Sequence, residues 1–155
     1  MEKIADQDTV IETLDDLSEN CKDGEYGFAK CAENATSAEL KTFFAKRAEG
    51  CRAAAAELRA MIVSLGGEPD TGGTTAGALH RGWLAVRGAL ALNDDKTMLV
   101  ECERGEDAAL ARYRKALEEN LPSDVEQLVR RQFEGAQRNH DEVKRLRDSV
   151  IATTA

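Results

Sequence analysis

Three charged residues interrupt apolar stripes that otherwise recur at helical spacing along this chain. Glu25, Arg47 and Glu106 each lie on a different segment, among residues expected to face a core. A lone buried carboxylate is costly, whereas carboxylates around a guanidinium are tolerable. Together with Gln132 and Asn139 on a fourth segment, these side chains predict a buried polar layer that fixes the register of the helices.

The alternative interpretation is a carboxylate-rich centre of the di-iron or di-manganese type. Such centres in four-helix bundles use inward-facing glutamates and Glu-x-x-His pairs. Here Arg52 and Gln137 stand where those pairs need a histidine and a glutamate, and Arg47 brings a permanent cation to the metal position. The first interpretation expects no cofactor, and the alternative expects iron or manganese on Glu25, Glu103, Glu106 and His140.

Two of these residues also have a simpler interpretation. Glu103 and His140 can pair across a helix interface, and a histidine beside a carboxylate is more often structural than catalytic. No serine is placed to complete a nucleophilic triad. We therefore assign no catalytic residue, and the sequence favours a protein that is not an enzyme.

Glycines accompany the polar layer on every segment. Gly24, Gly50, Gly105 and Gly135 fall at nearly the same level, and each costs about 1 kcal/mol relative to alanine in a helix interior. Two explanations stay open: close approach of the helix backbones, or room for a water or ligand.

A further cluster, His80, Arg81 and Trp83, lies on the connection between the second and third long segments. Trp and Arg are favoured anchors of interfaces, so these residues are candidates for a dimer contact or a ligand clamp. The simpler interpretation is that this face covers one side of the bundle, with Trp83 filling its groove.

Four long amphipathic helices position these residues. The apolar spacing predicts helix A over about 8–34, helix B over about 37–65, helix C from the cap at 93–95 to about 120, and helix D over about 124–150. A shorter helix at about 75–92 connects B to C and covers roughly 25 Å, enough to return the chain along the bundle. Helix C is therefore expected to run parallel to helix B, as in ferritin-like bundles.

This arrangement predicts one all-α domain over 8–151, with short tails at 1–7 and 152–155. The chain has 155 residues and a formal net charge of −8, and no basic cluster escapes its acidic neighbours. Nucleic acid and anionic membrane surfaces are thus excluded as expected partners. Without an apolar leader or spanning segment, and with four cysteines read as buried thiols, the expected location is the cytoplasm.

Five segments carry a resemblance to a known family: Cys21-Lys-Asp-Gly-Glu-Tyr-Gly-Phe28, Leu65-Gly-Gly-Glu-Pro69, Gly77-Ala-Leu-His-Arg-Gly-Trp83, Glu101-Cys-Glu-Arg-Gly-Glu-Asp107 and Asn139-His-Asp141. They resemble an uncharacterised family of ferritin-like four-helix-bundle proteins found mainly in proteobacteria, a domain of unknown function. The resemblance implies the bundle fold and a bacterial origin, and it implies no reaction, substrate or metal.

The function expected from the sequence is a non-catalytic helical bundle that acts through self-association, as a homodimer, or through a protein partner. The alternative is the ferritin-like metal protein with redox or metal-handling activity. A third possibility is a small apolar ligand held in a glycine-lined gap.

Overall fold

The structure is a computed structural model that describes residues 3–69 and 94–154. Within these ranges the chain is all-α and contains no strand, as the sequence predicted. The four helices are α1 (Gln7–Asn34), α2 (Ala38–Ser64), α3 (Asp95–Glu118) and α4 (Ser123–Thr154). The fourth continues beyond 150, where the sequence predicted its end. None of these helices is both long enough and apolar enough to cross a membrane.

Short polar side chains define where the helices begin. The Asp6 carboxylate accepts a hydrogen bond from the Thr9 backbone N–H at 2.8 Å, and Ser37 Oγ accepts from the Leu40 N–H at 3.3 Å. Such N-caps satisfy backbone donors that have no partner within the helix. At the other end of α2, Gly66 adopts a φ of 84°, a left-handed conformation that favours glycine after a helix.

The direction of α3 follows from contacts at both ends of the bundle. The Asp95 carboxylate, at the start of α3, accepts hydrogen bonds from Thr36 N at 2.9 Å and Thr36 Oγ1 at 2.7 Å, in the corner between α1 and α2. At the opposite end, Asn120 O accepts from Ala5 N at 2.8 Å, and Asn120 Nδ2 donates to Lys3 O at 2.7 Å. Helix α3 therefore runs parallel to α2, as expected, and residues 3–5 are attached to the bundle although the sequence assigned them to a tail.

The predicted connecting helix at 75–92, with the interface or clamp candidates His80, Arg81 and Trp83, lies outside the described residues. Among the described helices, α1 packs along α2 and α3 packs along α4, and the two hairpins meet mainly through α1 and α3.

The buried apolar residues form two separate clusters, one toward each end of the bundle. The corner cluster, near the α1–α2 corner, contains Phe28, Cys31, Ala35, Leu40, Phe44, Met98, Leu99, Cys102, Val143 and Leu146. The distal cluster, toward the opposite end, contains Val10, Leu14, Leu17, Cys21, Ala55, Leu58, Ile62, Tyr113, Ala116, Leu121, Val125, Leu128 and Val129. The predicted polar layer falls where the two clusters meet.

Candidate ligand-binding cavity

A cavity of about 470 Å³ lies between the two hairpins, and all four helices contribute to its wall. Most of the wall consists of small or apolar side chains, including alanines of α2, α3 and α4 and three cysteines. Each helix also contributes one of the glycines singled out by the sequence. These are Gly24, Gly50, Gly105 and Gly135.

At two of these glycines, a neighbouring side chain lies close to the position that a Cβ would occupy. A Cβ added at Gly24 would lie 2.8 Å from Cys51 Sγ, a distance that real Cβ atoms essentially never show. A Cβ at Gly50 would lie 3.0 Å from Arg47 Nη1. Gly24 makes room for the Cys51 thiol between α1 and α2, so close packing explains this glycine. Gly50 is exposed and leaves room for the Arg47 side chain of its own helix.

The other two glycines leave space. A Cβ at Gly105 would meet nothing within 4 Å, and one at Gly135 would meet only Arg138 Nη2 at 3.6 Å. Close helix packing does not explain glycine at these two positions. Close approach of two helices therefore explains Gly24, whereas Gly105, which is exposed, and Gly135 leave space beside the cavity.

The polar pair at the corner side of the cavity joins α2 to α3. Arg47 Nη2 donates to Glu106 Oε1 at 3.2 Å, and only 14% and 5% of these two side chains are exposed. The Arg47 guanidinium also lies 5.2 Å from the centre of the Phe28 ring, within cation–π range. Burial raises the pKa of Glu106, and the charge of Arg47 and its hydrogen bond oppose this increase.

The sequence predicted that Glu25 joins Arg47 and Glu106, but Glu25 does not pair with either residue. It is half-buried on α1, and within the described ranges no hydrogen bond or ion pair joins it to Arg47. The Phe28 ring, one turn further along α1, lies beside the guanidinium. Because Glu25 lies at the flank of the buried stripe, its long side chain can keep the carboxylate near water.

A second polar connection crosses the bundle on the distal side of the cavity. Tyr113 Oη donates to Gln132 Oε1 at 3.0 Å, and Cys21 Sγ lies 3.6 Å from the same hydroxyl. Gln132 Nε2 in turn donates to Ala54 O and to Glu57 Oε1, both at 3.2 Å. These contacts link all four helices, so the buried Gln132 belongs to this chain of hydrogen bonds and not to the Arg47–Glu106 pair.

The thiols near the cavity are held in the protonated form. Burial raises the pKa of Cys21 to about 11 and that of Cys51 to about 12. Cys102 contacts Cys31 with 3.8 Å between the sulfur atoms, and this contact together with burial raises the pKa of Cys102. Since the thiolate is the reactive form, these cysteines are poor nucleophiles at neutral pH.

Charged and amide side chains line the edge of the cavity. Arg112 pairs with Asp16 at 3.4 Å, whereas Arg138 forms no ion pair or hydrogen bond with any residue that the structure describes. Asp23 is half-buried, and its burial raises its pKa to about 6. Asn139, predicted for the polar layer, is half-buried and lines the cavity.

The four candidate metal ligands do not converge. Glu103 forms an ion pair with Arg147, and His140 Nε2 lies 2.6 Å from Asp107 Oδ1, so the expected Glu103–His140 pair is absent and that prediction was wrong. The remaining two candidates are the flanking Glu25 and the Arg47-bound carboxylate already described. In the part of the chain that the structure covers, no three His, Cys, Asp or Glu side chains form a group able to hold a metal ion.

The sequence interpretation missed Tyr113 and the arginines of the cavity edge. A signal for the arginines was present on α4, where Arg131 and Arg138 are seven residues apart and therefore share a face, with Gly135 between them in height. Gln132 and Asn139 repeat the same spacing one position further along the helix.

Comparison with known proteins gives a family. A family model described as Domain of unknown function (DUF2383) matches residues 9–119, a span that includes almost all of α1, all of α2 and α3, and the connection between α2 and α3. No curated protein matches the chain.

Proposed function

This chain belongs to the family Domain of unknown function (DUF2383), and we propose that it is a small-molecule-binding bundle that acts without catalysis, with the central cavity as its site. The observation that carries the proposal is the cavity of about 470 Å³ between the hairpins. Cavities of roughly 300–1,000 Å³ with apolar walls and a few polar groups are typical of ligand sites, which also occur between the helices of bundles.

The open glycine of α3 supports a binding role over a merely imperfect core. Gly105 lines the cavity at an exposed position, where alanine would stabilise the helix by about 1 kcal/mol and would contact no protein atom within 4 Å. A bundle that needed only stability has no reason for glycine there. Glycine there keeps the exposed edge of the cavity open for a ligand.

The polar groups support binding over catalysis. Cys21 and Cys51 line the cavity with their pKa values raised to about 11 and about 12, and Tyr113 lines it with its hydroxyl engaged by Gln132. Covalent catalysis needs a nucleophile activated by a nearby base or a lowered pKa. The raised pKa values of the two thiols keep them protonated, which opposes their use as nucleophiles.

A neutral fluorescent probe tests the site. N-Phenyl-1-naphthylamine, whose emission rises in apolar surroundings, should bind the purified protein saturably at one molecule per chain. Ala109→Leu, which extends a side chain into the cavity wall, should weaken this binding at least tenfold. Ala111→Leu makes the same change two residues away at an exposed position outside the wall and serves as the matched control.

Both variants should retain helical circular dichroism and a cooperative thermal transition. Equal binding by wild type and Ala109→Leu would show that the cavity is not the binding site. Absence of saturable binding would contradict the proposed function.

Self-association or a protein partner stays a prediction, as does iron or manganese binding. Sedimentation equilibrium of the purified protein measures the first. Metal analysis of protein from cells supplemented with iron and manganese measures the second, with Glu106→Ala as the variant that should lose any bound metal.

A further inference from the structure

The cavity wall is more basic than the protein as a whole. Four arginines and two acidic residues line it, which gives a formal charge of 4 − 2 = +2 in a chain of net charge −8. Burial raises the pKa of Asp23 to about 6, so this carboxylate loses its charge more readily than an exposed aspartate. The six charged residues are Asp23, Arg47, Glu106, Arg112, Arg131 and Arg138.

Three of the four guanidinium groups already have carboxylate partners. Arg47 pairs with Glu106, which is buried, while Arg112 and Arg131 pair with acids that are not part of the cavity wall, at 3.4 Å and 2.6 Å. These pairs orient the arginines without placing more negative charge inside the cavity.

Arg138 is the exception. Arg138 is exposed at the edge of the cavity and makes no hydrogen bond or ion pair within the described residues, and its Nη2 atom lies 3.6 Å from the position that a Cβ would occupy at Gly135. The guanidinium therefore lies close to the α4 backbone at the edge of the cavity, at an ordinary contact distance from the position of a Cβ at residue 135. Asp107, Glu134 and Asp141 line a surface groove that Arg138 also borders, yet none of them forms an ion pair with it.

From these observations we propose that the ligand is an amphiphile, with an apolar body between the hairpins and one anionic head group, a carboxylate or phosphate, bound by Arg138. The inference rests on the proposed binding function and names the ligand class for that site. A guanidinium presents parallel N–H donors that match these head groups, with Asn139 next in the chain as a further donor. A cationic head group would be repelled by the arginines, and a neutral one would gain no ion pair with Arg138.

Displacement of N-phenyl-1-naphthylamine by molecules that share a chain of the same length tests the head group. Decanoate should displace the probe at about tenfold lower concentration than decanol, because a charge-assisted hydrogen bond contributes roughly the free energy of one tenfold step. Decyltrimethylammonium should be the weakest competitor. Decyl phosphate in the same assay distinguishes the two anionic head groups by their relative affinity.

Arg138→Gln should reduce the preference for decanoate over decanol to less than threefold, while decanol affinity stays unchanged. Arg130→Gln removes the same charge from an exposed residue of α4 that pairs with Glu126 and lies outside the wall, so it should keep the preference. Equal displacement by decanoate and decanol in the wild-type protein would overturn the head-group inference while leaving the cavity as a binding site. Failure of the probe itself to bind would instead count against the proposed function.

Discussion

The distal cluster and the cavity level are built by the same four helices, yet they pack in opposite ways. In the distal cluster, Leu58, Ile62 and Val125 are fully buried. Side chains from all four helices meet there, and none of the residues in the cluster is charged. At the cavity level the helices present glycines and alanines, and charged residues replace the aliphatic ones. The helices thus change from filling the interior to surrounding it within a few turns.

This difference shows how a small bundle can hold an open centre. Apolar burial, at roughly 25 cal/mol per Å², stabilises both ends of the bundle and leaves the middle to other tasks. There, the Arg47–Glu106 pair on the corner side and the Tyr113–Gln132 contact on the distal side connect the helices across the gap. Specific polar contacts replace dense packing at this level.

The largest effect is expected from a cavity made in the distal cluster. Leu58→Ala should reduce the free energy of unfolding by about 4 kcal/mol, since Leu58 is 0% exposed and its neighbours cannot fully close the space. Urea denaturation measures the loss, and Val63→Ala on the same helix, where Val63 is 60% exposed, is the control that should change little. A loss below 1 kcal/mol for Leu58→Ala would mean that the two levels pack alike.

The next largest effect concerns the pair that spans the cavity. Arg47→Ala should cost about 3 kcal/mol at pH 8, because it leaves the buried Glu106 carboxylate without its cation. The cost should shrink on acidification through the raised pKa of Glu106, since the protonated acid needs no partner. Arg52→Ala breaks an exposed pair with Glu49 and should change the stability much less, because water screens that pair. Equal small costs for both variants would show that water solvates the Arg47–Glu106 pair.

The sequence was sufficient to predict the helices and to place Arg47 at the same height in the bundle as Glu106. Helical periodicity assigns a residue to a face, and the rise per residue assigns its height once the corners are known. The sequence was insufficient to predict which charged side chains pair at the flanks of the buried helix faces. Glu103 and His140 found partners other than each other, because on a helix surface an alternative charge lies within a turn or two, and side-chain conformation selects among them.

The sequence raised a glycine-lined gap as one possibility, but it could not establish that the cavity exists. Whether a mid-helix glycine allows contact or leaves space depends on the separation of the two hairpins. That separation is set by the bulk of the side chains in both apolar clusters together. No single segment of the sequence determines the separation of the two hairpins.

A smaller effect is expected at the cavity edge. Asp23→Asn should stabilise the protein by about 1 kcal/mol at pH 8, after allowance for the partial exposure of the carboxylate. Burial raises the pKa of Asp23 from 3.8 to about 6, so the native state binds more protons than the unfolded state between these values, and this residue's contribution to stability falls as pH rises through that window. The gain should therefore vanish below pH 4. Asp16→Asn, at an exposed partner of Arg112, should show no such gain.

The smallest effect separates the two kinds of glycine. Gly105→Ala should raise the free energy of unfolding by about 0.5–1 kcal/mol, because alanine favours the helix and its Cβ meets nothing within 4 Å. Gly24→Ala receives the same helix benefit, but its Cβ would approach Cys51 Sγ to 2.8 Å, and the resulting displacement of a buried thiol should make the variant less stable than wild type. Paired urea titrations measure both. If both substitutions stabilise, Cys51 yields easily and Gly24 is not needed for packing; if both destabilise, the space beside Gly105 is filled in solution, and the contrast between an open α3 glycine and a packed α1 glycine fails.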